Sequence, residues 1–156
     1  MSTQVIELSG GGTAELGLVD QLMKRAFDPR FGEAWTRPQC LGMLSLPGVW
    51  LTIARLNGNA AGFALSRVIA DEAELLLLAT LPEVRRLGVG RALLRSAMEE
   101  ACSRGAKRLY LEVRSNNDAI GFYVRLGFHK VGQRRGYYRG PGGQLFDAFT
   151  LARDVG

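Results

Sequence analysis

The segment Ala73–Thr80 (AELLLLAT) constrains this chain's fold more than any other. It holds the longest uninterrupted apolar run, Leu75–Ala79, so a strand formed here is apolar on both faces and needs cover on both. Such a strand belongs in the middle of a sheet, with helices packed above and below. The run is far shorter than the roughly 20 apolar residues that span a bilayer, and no membrane segment is expected.

The flanking elements fit that placement. Val49–Leu56 and Ala60–Ile69 are β-rich runs joined by Asn57-Gly58-Asn59, a hairpin signal because Asn and Gly accept positive φ. From Gly88 to Arg104 the period becomes helical, with Val89, Ala92, Leu93, Ala97 and Ala101 on one face and Gly105 as the stop. Arg108–Arg114 is again a strand, and Asn117–Leu126 a helix ended by Gly127. Phe128–Gln133 and Leu145–Ala152 are the last strands, linked through Gly140-Pro141-Gly142-Gly143. Near the N-terminus, Gln4–Leu8 reads as a short strand broken by Ser9-Gly10-Gly11-Gly12, and Thr13 caps a helix with Leu16, Val19, Met23, Ala26 and Phe27 on its apolar face. Pro38 opens a second helix, closed by Pro47-Gly48. The order β-α-α-β-β-β-α-β-α-β-β predicts an α/β fold of α+β type, a mixed sheet with helices on both faces. No repeat or linker interrupts it, so residues 1–156 read as a single domain.

Composition narrows the chemistry. With 156 residues, 47% hydrophobic and 22% charged, the chain is globular in type and long enough to bury a core without disulfide or metal. Cys40 and Cys102 stand alone, in no C-x-x-C pairing, and read as reduced thiols, Cys102 in the core half of its helix. His129 is the sole histidine, which removes triads with a histidine base and almost every histidine metal site. Proton transfer therefore falls to carboxylate, Tyr, Cys, Ser or backbone, and no metal site is expected. The net charge of +5 favours anionic ligands, although the clusters Arg85, Arg86, Arg91, Arg95 and Arg134, Arg135, Arg139 are also what a solvated basic face contains. No recognition motif accompanies them, which places nucleic-acid binding last. Met1–Leu8 has neither a basic n-region nor an apolar h-region, and a cytoplasmic location is expected.

The segment Arg85-Arg86-Leu87-Gly88-Val89-Gly90-Arg91 lies between the buried strand and a helix. Glycines let backbone approach a ligand, and the free N–H groups of a first helical turn attract an anion, so this turn suits a pyrophosphate. It is neither a Walker loop nor the G-x-G-x-x-G of a dinucleotide fold. Taken alone, a strand-to-helix turn with two glycines is more often structural than ligand-binding.

Arg85, Gly88 and Gly90, spaced R-x-x-G-x-G after a central strand and Pro82, resemble the acyl-CoA loop of the GNAT superfamily of N-acetyltransferases. Asn116, Ala119, Tyr123, Gly127 and Phe128 match that superfamily's N-x-x-A-x-x-x-Y-x-x-x-G-F pattern. Within it, Leu111-Glu112-Val113-Arg114, Arg135-Gly136-Tyr137-Tyr138 and Asp147-Ala148 resemble the RimI type, the ribosomal-protein-alanine N-acetyltransferases. The likeness covers Gly62–Ala152; Phe31–Trp50 has no counterpart in it.

The resemblance implies a mostly antiparallel sheet of about seven strands that binds acetyl-CoA, without a metal, where Ala73–Thr80 and Arg108–Arg114 splay apart. Backbone groups of Leu78, Ala79 and Thr80 would hold the pantetheine arm and polarise the thioester carbonyl. Arg85, Arg86, Leu87, Gly88, Val89, Gly90 and Arg91 would cradle the pyrophosphate, and Asn116 would bind the arm through its amide. Thr80 replaces the subgroup's usual Val, a change without consequence for backbone contacts.

Glu112 would be the general base and Tyr123 the acid that protonates the departing thiolate. Their alternatives are an ion pair of Glu112 with Arg108, Arg114 or another basic side chain, and core packing of Tyr123. One departure stands out: Glu112 to Asn116 spans four positions where the RimI type usually has five. Tyr137 and Tyr138, with Arg134 and Arg135, line an acceptor groove or else cover the sheet, while Trp35 and Trp50 read as packing residues.

The expected activity is acetyl transfer to a primary amine, foremost a protein N-terminal α-amine such as that of a ribosomal protein. A small amine or a lysine side chain is the alternative acceptor, and a non-catalytic acyl-CoA-binding module the alternative of another class. The oligomeric state is not legible.

Overall fold

The computed structural model describes residues 4–156; residues 1–3, on which the reading of Met1–Leu8 partly rests, lie outside the described residues. In chain order the elements are β1 (Ile6–Gly11), α1 (Leu16–Ala26), α2 (Arg37–Leu44), β2 (Val49–Leu56), β3 (Asn59–Ile69), β4 (Glu72–Thr80), α3 (Val89–Ser103), β5 (Arg108–Arg114), α4 (Ile120–Arg125), β6 (His129–Arg139) and β7 (Leu145–Asp154). The expected order holds, with seven strands in one sheet arranged β1-β2-β3-β4-β5-β7-β6. Only β4 and β5 run parallel; every other neighbouring pair is antiparallel. No helix among the described residues is long and apolar enough to cross a membrane.

Two apolar layers cover the sheet. On one face α3 lays Val89, Leu93, Leu94, Ala97, Met98 and Ala101 over Ala73, Leu75, Leu109, Leu111 and Val113, joined by Tyr123 and Phe128. On the other, α1 and α2 bring Val19, Leu22, Met23 and Cys40 against Leu51, Ile53, Phe63, Leu65 and Leu77. Burial of both faces of β4 follows from its composition, since apolar surface contributes about 25 cal/mol per Å² removed from water.

One irregularity in β4 shapes the molecule. Leu65 pairs with Leu77 and Ser66 with Leu75, so Leu76 is an extra residue on β4, a bulge. Ala73 and Leu75 pack under α3, whereas Leu76, Leu77 and Ala79 pack on the opposite layer, as expected when an inserted residue breaks the alternation. The parallel pairing of β4 with β5 ends at the same place, its last pair being Leu75 with Leu111. Beyond it the two strands part.

Several boundaries differ from the sequence reading. β1 begins at Ile6 and runs through Ser9-Gly10-Gly11 instead of breaking there, because pairing with β2 from Ile6–Leu56 to Gly11–Leu51 satisfies its backbone and outweighs the glycines' poor strand propensity. β6 continues past Gln133 to Arg139 through an irregularity between Arg134 and Tyr138, with Gly136 at φ 60°. α4 starts late, since the Asn117 Oδ1 accepts the Ala119 N–H at 2.8 Å and holds a turn first. Cys102 is exposed and Cys40 is the buried thiol. The stripe on α3 ends at Ala101, so the next residue rotates away from the sheet. The hairpin at Asn57-Gly58 forms as expected, with φ of 52° and 86°.

The bulged β4 leaves no room beside β3. A Cβ on Gly62 would lie 2.4 Å from the Ala79 carbonyl oxygen and 3.3 Å from Leu93 Cδ1. Gly62→Ala is therefore expected to lower stability by about 1–3 kcal/mol, the cost of overpacking a closed core, read as a lower urea midpoint at unchanged slope. An unchanged midpoint would show that β3 and β4 move apart freely.

Candidate active site

The parting of β4 from β5 exposes backbone on both lips. Leu76–Thr80 have no strand on their β5 side, and Glu112–Arg114 keep β7 as their strand neighbour. Leu78 packs on the α3 side and Ala79 on the other, so the predicted Leu78-Ala79-Thr80 run offers its free backbone edge to the gap. At the end of β4, Pro82–Val84 form one 3₁₀ turn, and α3 begins at Val89. Arg86 (φ 70°) and Gly88 (φ 91°) both hold left-handed backbone, which turns the loop under the helix start. Because the first helical bond runs from the Ala92 N–H to the Gly88 carbonyl, the N–H groups of Val89, Gly90 and Arg91 have no helical partner and are free for an anion. A Cβ on Gly90 would point toward Thr80 Cγ2 at 3.6 Å and Phe122 Cζ at 3.7 Å, so this glycine faces the space between β4 and α4. These features fit a pyrophosphate followed by an extended arm.

The loop's arginines divide. Arg86 and Arg91 are exposed, while Arg85 donates from Nη2 to the Ala26 carbonyl at 2.7 Å and so ties the loop to the end of α1. Asn116 is exposed, and its Oδ1 accepts from Arg114 Nη1 at 2.6 Å, which leaves the amide NH₂ for a ligand. The shortened link after β5 closes as a turn, the Asn117 N–H reaching the Arg114 carbonyl at 2.9 Å.

Glu112 shares its strand face with Tyr110, as the alternation requires, while Leu109, Leu111 and Val113 point into the α3 layer. Its carboxylate accepts from Thr150 Oγ1 at 2.6 Å and pairs with Arg134 Nε at 3.1 Å. The ion-pair partner is thus neither Arg108 nor Arg114 but a side chain from β6. Glu112, Tyr110, Glu74, Arg134 and Thr150 line a cleft of about 290 Å³. A larger hollow of about 870 Å³ lies by β1, β2 and α3, lined by Gly10, Trp50, Ser96, Glu100 and Arg104, and none of the predicted site residues reaches it.

Tyr123 sits on α4 and is buried against Phe122 and Phe128, with ring centroids 5.2 and 5.9 Å away. Burial, assisted by the Glu33 carboxylate, pushes its phenol well above the ordinary tyrosine range. The hydroxyl stays protonated throughout the neutral range. Tyr138 is raised for the same leading reason, and its hydroxyl donates to the Glu112 carbonyl at 3.3 Å. Tyr137 is half exposed at its side, stacked edge-on with Tyr138 at 4.9 Å.

Two further charged residues meet beside the site: Arg114, which the sequence offered only as a partner for Glu112, and Glu33, which it did not single out. Arg114 is buried, its guanidinium lying 3.5 Å from the Phe31 ring centroid and its Nε 3.5 Å from Glu33 Oε1. Glu33 comes from the Phe31–Trp50 stretch, which the sequence reading did not place in the RimI type. The only available signal was a carboxylate between two aromatics, Phe31 and Trp35, beside a glycine.

The profile of the Acetyltransferase (GNAT) family matches residues 17–128, well over half of the chain. The chain belongs to the GNAT acetyltransferases. It is 44% identical over 100 residues to the ribosomal protein bS18-alanine N-acetyltransferase of Escherichia coli (strain K12), covering 64% of this chain and 67% of that protein. It is 41% identical over 108 residues to the N-alpha-acetyltransferase RimI of Mycobacterium tuberculosis, covering 66% and 65%. The crystal structure of the Escherichia coli ribosomal-protein-S18-alanine N-acetyltransferase superposes with a TM-score of 0.84 at 32% identity, over 97% of this chain and 94% of that one. Arabidopsis thaliana NAA60 in complex with acetyl-CoA shares the fold, with a TM-score of 0.82 at 18% identity over 97% and 99% of the two chains. As a GNAT enzyme the chain is an acetyl-CoA-dependent N-acetyltransferase, and the gap between β4 and β5 with the free N–H groups of α3 fits that co-substrate.

If the α3 N-terminus holds the pyrophosphate, Gly90→Val places a branched side chain in its path. Acetyl-CoA is expected to raise the melting temperature of the parent, because a ligand of the folded state alone stabilises it. In the variant that rise is expected to vanish with the unliganded melting temperature little changed. Retained micromolar binding would move the cofactor elsewhere.

Proposed function

We propose that this GNAT enzyme acetylates the α-amine of a protein N-terminus, foremost that of a ribosomal protein. The observation that carries the reading is the pairing of the cofactor gap with a second, acceptor-side cleft at Glu112, in a chain 44% identical to a bS18-alanine N-acetyltransferase. A basic surface fits a partner bound to anionic ribosomal RNA, and a cytoplasmic location fits that partner. The reading takes residues 1–156 as one N-acetyltransferase domain.

Acetyl-CoA supplies an activated thioester, and the chain's task is to position it, strip a proton from the amine and return one to sulfur. Glu112, fixed by Arg134 and Thr150, accepts the ammonium proton, directly or through one water. The nitrogen lone pair then forms the new C–N bond as the C–S bond breaks. Backbone N–H groups of Leu78–Thr80 stabilise the charge that develops on the carbonyl oxygen. Tyr123 donates its proton to the departing sulfur. The ammonium sheds two protons in all: one to Glu112 before attack, and one after attack that replaces the proton Tyr123 gives to sulfur. The products are a neutral amide, the CoA thiol and a protonated Glu112, which then releases its proton to solvent.

Tyr123→Phe keeps the ring and removes the donor. The acetylation rate is expected to fall by roughly 10- to 100-fold, the low end of what general catalysis contributes, with the acetyl-CoA dissociation constant little changed. An unchanged rate across pH would reduce Tyr123 to a packing residue.

Glu112→Gln keeps the size and most hydrogen bonds. At saturating substrates the parent's rate is expected to climb through an acidic limb that is absent from the variant. Lost stability with an unaltered pH profile would make Glu112 only half of an ion pair with Arg134. Turnover against N-terminal peptides, lysine peptides and small amines decides the acceptor class; acetyl-CoA binding without turnover of any amine would mark a binding module instead.

A further inference from the structure

The two outer edges of the sheet are built differently. β6 is irregular and carries Lys130, Arg134, Arg135 and Arg139, whereas β1 carries one charge, Glu7, and keeps an unbroken register with β2 from Ile6–Leu56 to Gly11–Leu51. Among the described residues no strand covers its other side. The Asn57 N–H reaches the Val5 carbonyl at 2.8 Å, so Val5 directs its carbonyl at β2. Alternation along an antiparallel pair then turns the backbone groups of Glu7 and Ser9 toward β2 and those of Ile6, Leu8 and Gly10 outward. The outward ladder ends at Gly12, whose N–H is taken by Glu15 Oε2 at 2.9 Å. Three residues thus present free N–H and C=O groups, a template that natural sheets ordinarily blunt with charge, proline or a bulge.

The side chains along this edge complement themselves. An antiparallel second copy with its two-fold axis at Leu8 sets Leu8 against the other copy's Leu8, Ile6 against Gly10 and Glu7 against Ser9. Every outward N–H and C=O of Ile6, Leu8 and Gly10 then has a partner. Leu8, 38% exposed, gains an apolar neighbour across the axis. A Cβ on Gly10 would have nothing within 4 Å, so the other copy's Ile6 meets open space there. On the opposite face Glu7 and Arg55 stand across from each other in the β1–β2 register, yet Arg55 reaches outward to Ser9 Oγ at 3.3 Å instead. Neither has an ion-pair partner among the described residues. The second copy's Glu7, lying against Ser9, comes to that guanidinium. Two such pairs form about the axis, and no like charges stand directly opposite.

We propose that two copies of this chain pair through antiparallel β1 edges about a two-fold axis at Leu8, with Glu7 of each against Arg55 of the other. Joining them makes one continuous sheet with β6 at both ends, and the broken, cationic ladder of β6 stops addition at two. β2 and β3 separate the axis from the gap beside β4, so each copy keeps its own site. The contact is small and belongs to the weak class of interfaces, with a dissociation constant of roughly 1–100 µM.

The test is sedimentation velocity of the full chain from about 1 to about 300 µM, a range that brackets weak association. The parent is expected to move with rising concentration from the 17.0 kDa chain to twice that mass. Arg55→Glu and Glu7→Arg each set like charges across the axis and are expected to weaken the dimer about tenfold or more. Mixed in equal amounts, the two variants oppose unlike charges at both positions, and a dimer of one copy of each is expected near the parent's affinity. Loss of folding in either variant would not yield that recovery. Leu8→Pro removes the outward N–H on the axis and none of the bonds to β2, so it is expected to stay a single chain with an unchanged circular dichroism spectrum.

A parent that remains a single chain at the highest concentration would overturn the proposal and leave the edge to an extended segment of another protein. Dimers insensitive to both charge reversals would overturn it, as would variants that lose the dimer and do not recover it on mixing. A folded Leu8→Pro chain that still dimerises would do the same; if that variant unfolds, the mixed charge pair decides.

Discussion

The opening in this molecule's sheet coincides with one extra residue in β4. Parallel strands have evenly spaced hydrogen bonds, and a pair that begins at Glu72–Arg108 could in principle continue to the ends of both strands. The bulge at Leu76 re-aims the backbone and the pairing with β5 stops at Leu75. From there β4 carries its unpaired edge toward the start of α3, and β5 carries Glu112 and Arg114 toward β6 and β7. The sheet is open from there on, between the free edge of β4 and the end of β5. The bulge also explains the leucines: a strand that changes sides mid-course needs apolar residues at successive positions rather than alternate ones.

The local parts of this arrangement were legible before any coordinates. Helical periodicity placed α3, Asn57-Gly58 placed a hairpin, and the glycines before α3 marked a loop that can approach an anion. Each of these signals lies within a few residues of what it specifies. The features that escaped are pairings between distant segments. Nothing near Leu76 announces a bulge, since its cause is the register with Leu65 and Ser66 on another strand. Nothing near Gly32 announces that Arg139 will press against it. The same applies to the engagement of Arg85 with Ala26 and of Glu112 with Arg134, where the sequence offered several arginines and no way to choose among them. Cys102 was misplaced for a simpler reason: one residue on a helix is a rotation of about 100°, enough to move a side chain from core to solvent.

The basic excess is concentrated where it can serve as counter-charge. Arg134 and Arg114 each pair with a carboxylate, Arg134 with Glu112 at 3.1 Å and Arg114 with Glu33 at 3.5 Å, and Arg114 also lays its guanidinium over the Phe31 ring. Burial pushes the tyrosines beside them to higher proton affinity, so their hydroxyls stay protonated next to carboxylates that are paired with arginines.

The irregular outer strand has a consequence beyond the site. β6 closes the sheet on one side, and an 11-residue edge of unpaired N–H and C=O groups would ordinarily be a template for another chain's strand. Its register with β7 slips between Lys130 and Gly132 and again between Arg134 and Tyr138, so its outward ladder is broken into short pieces. Lys130, Arg134, Arg135 and Arg139 add like charge along the same edge. A second copy laid alongside would meet a discontinuous set of hydrogen-bonding groups and a row of cations, which protects the fold against edge-to-edge growth into larger sheets.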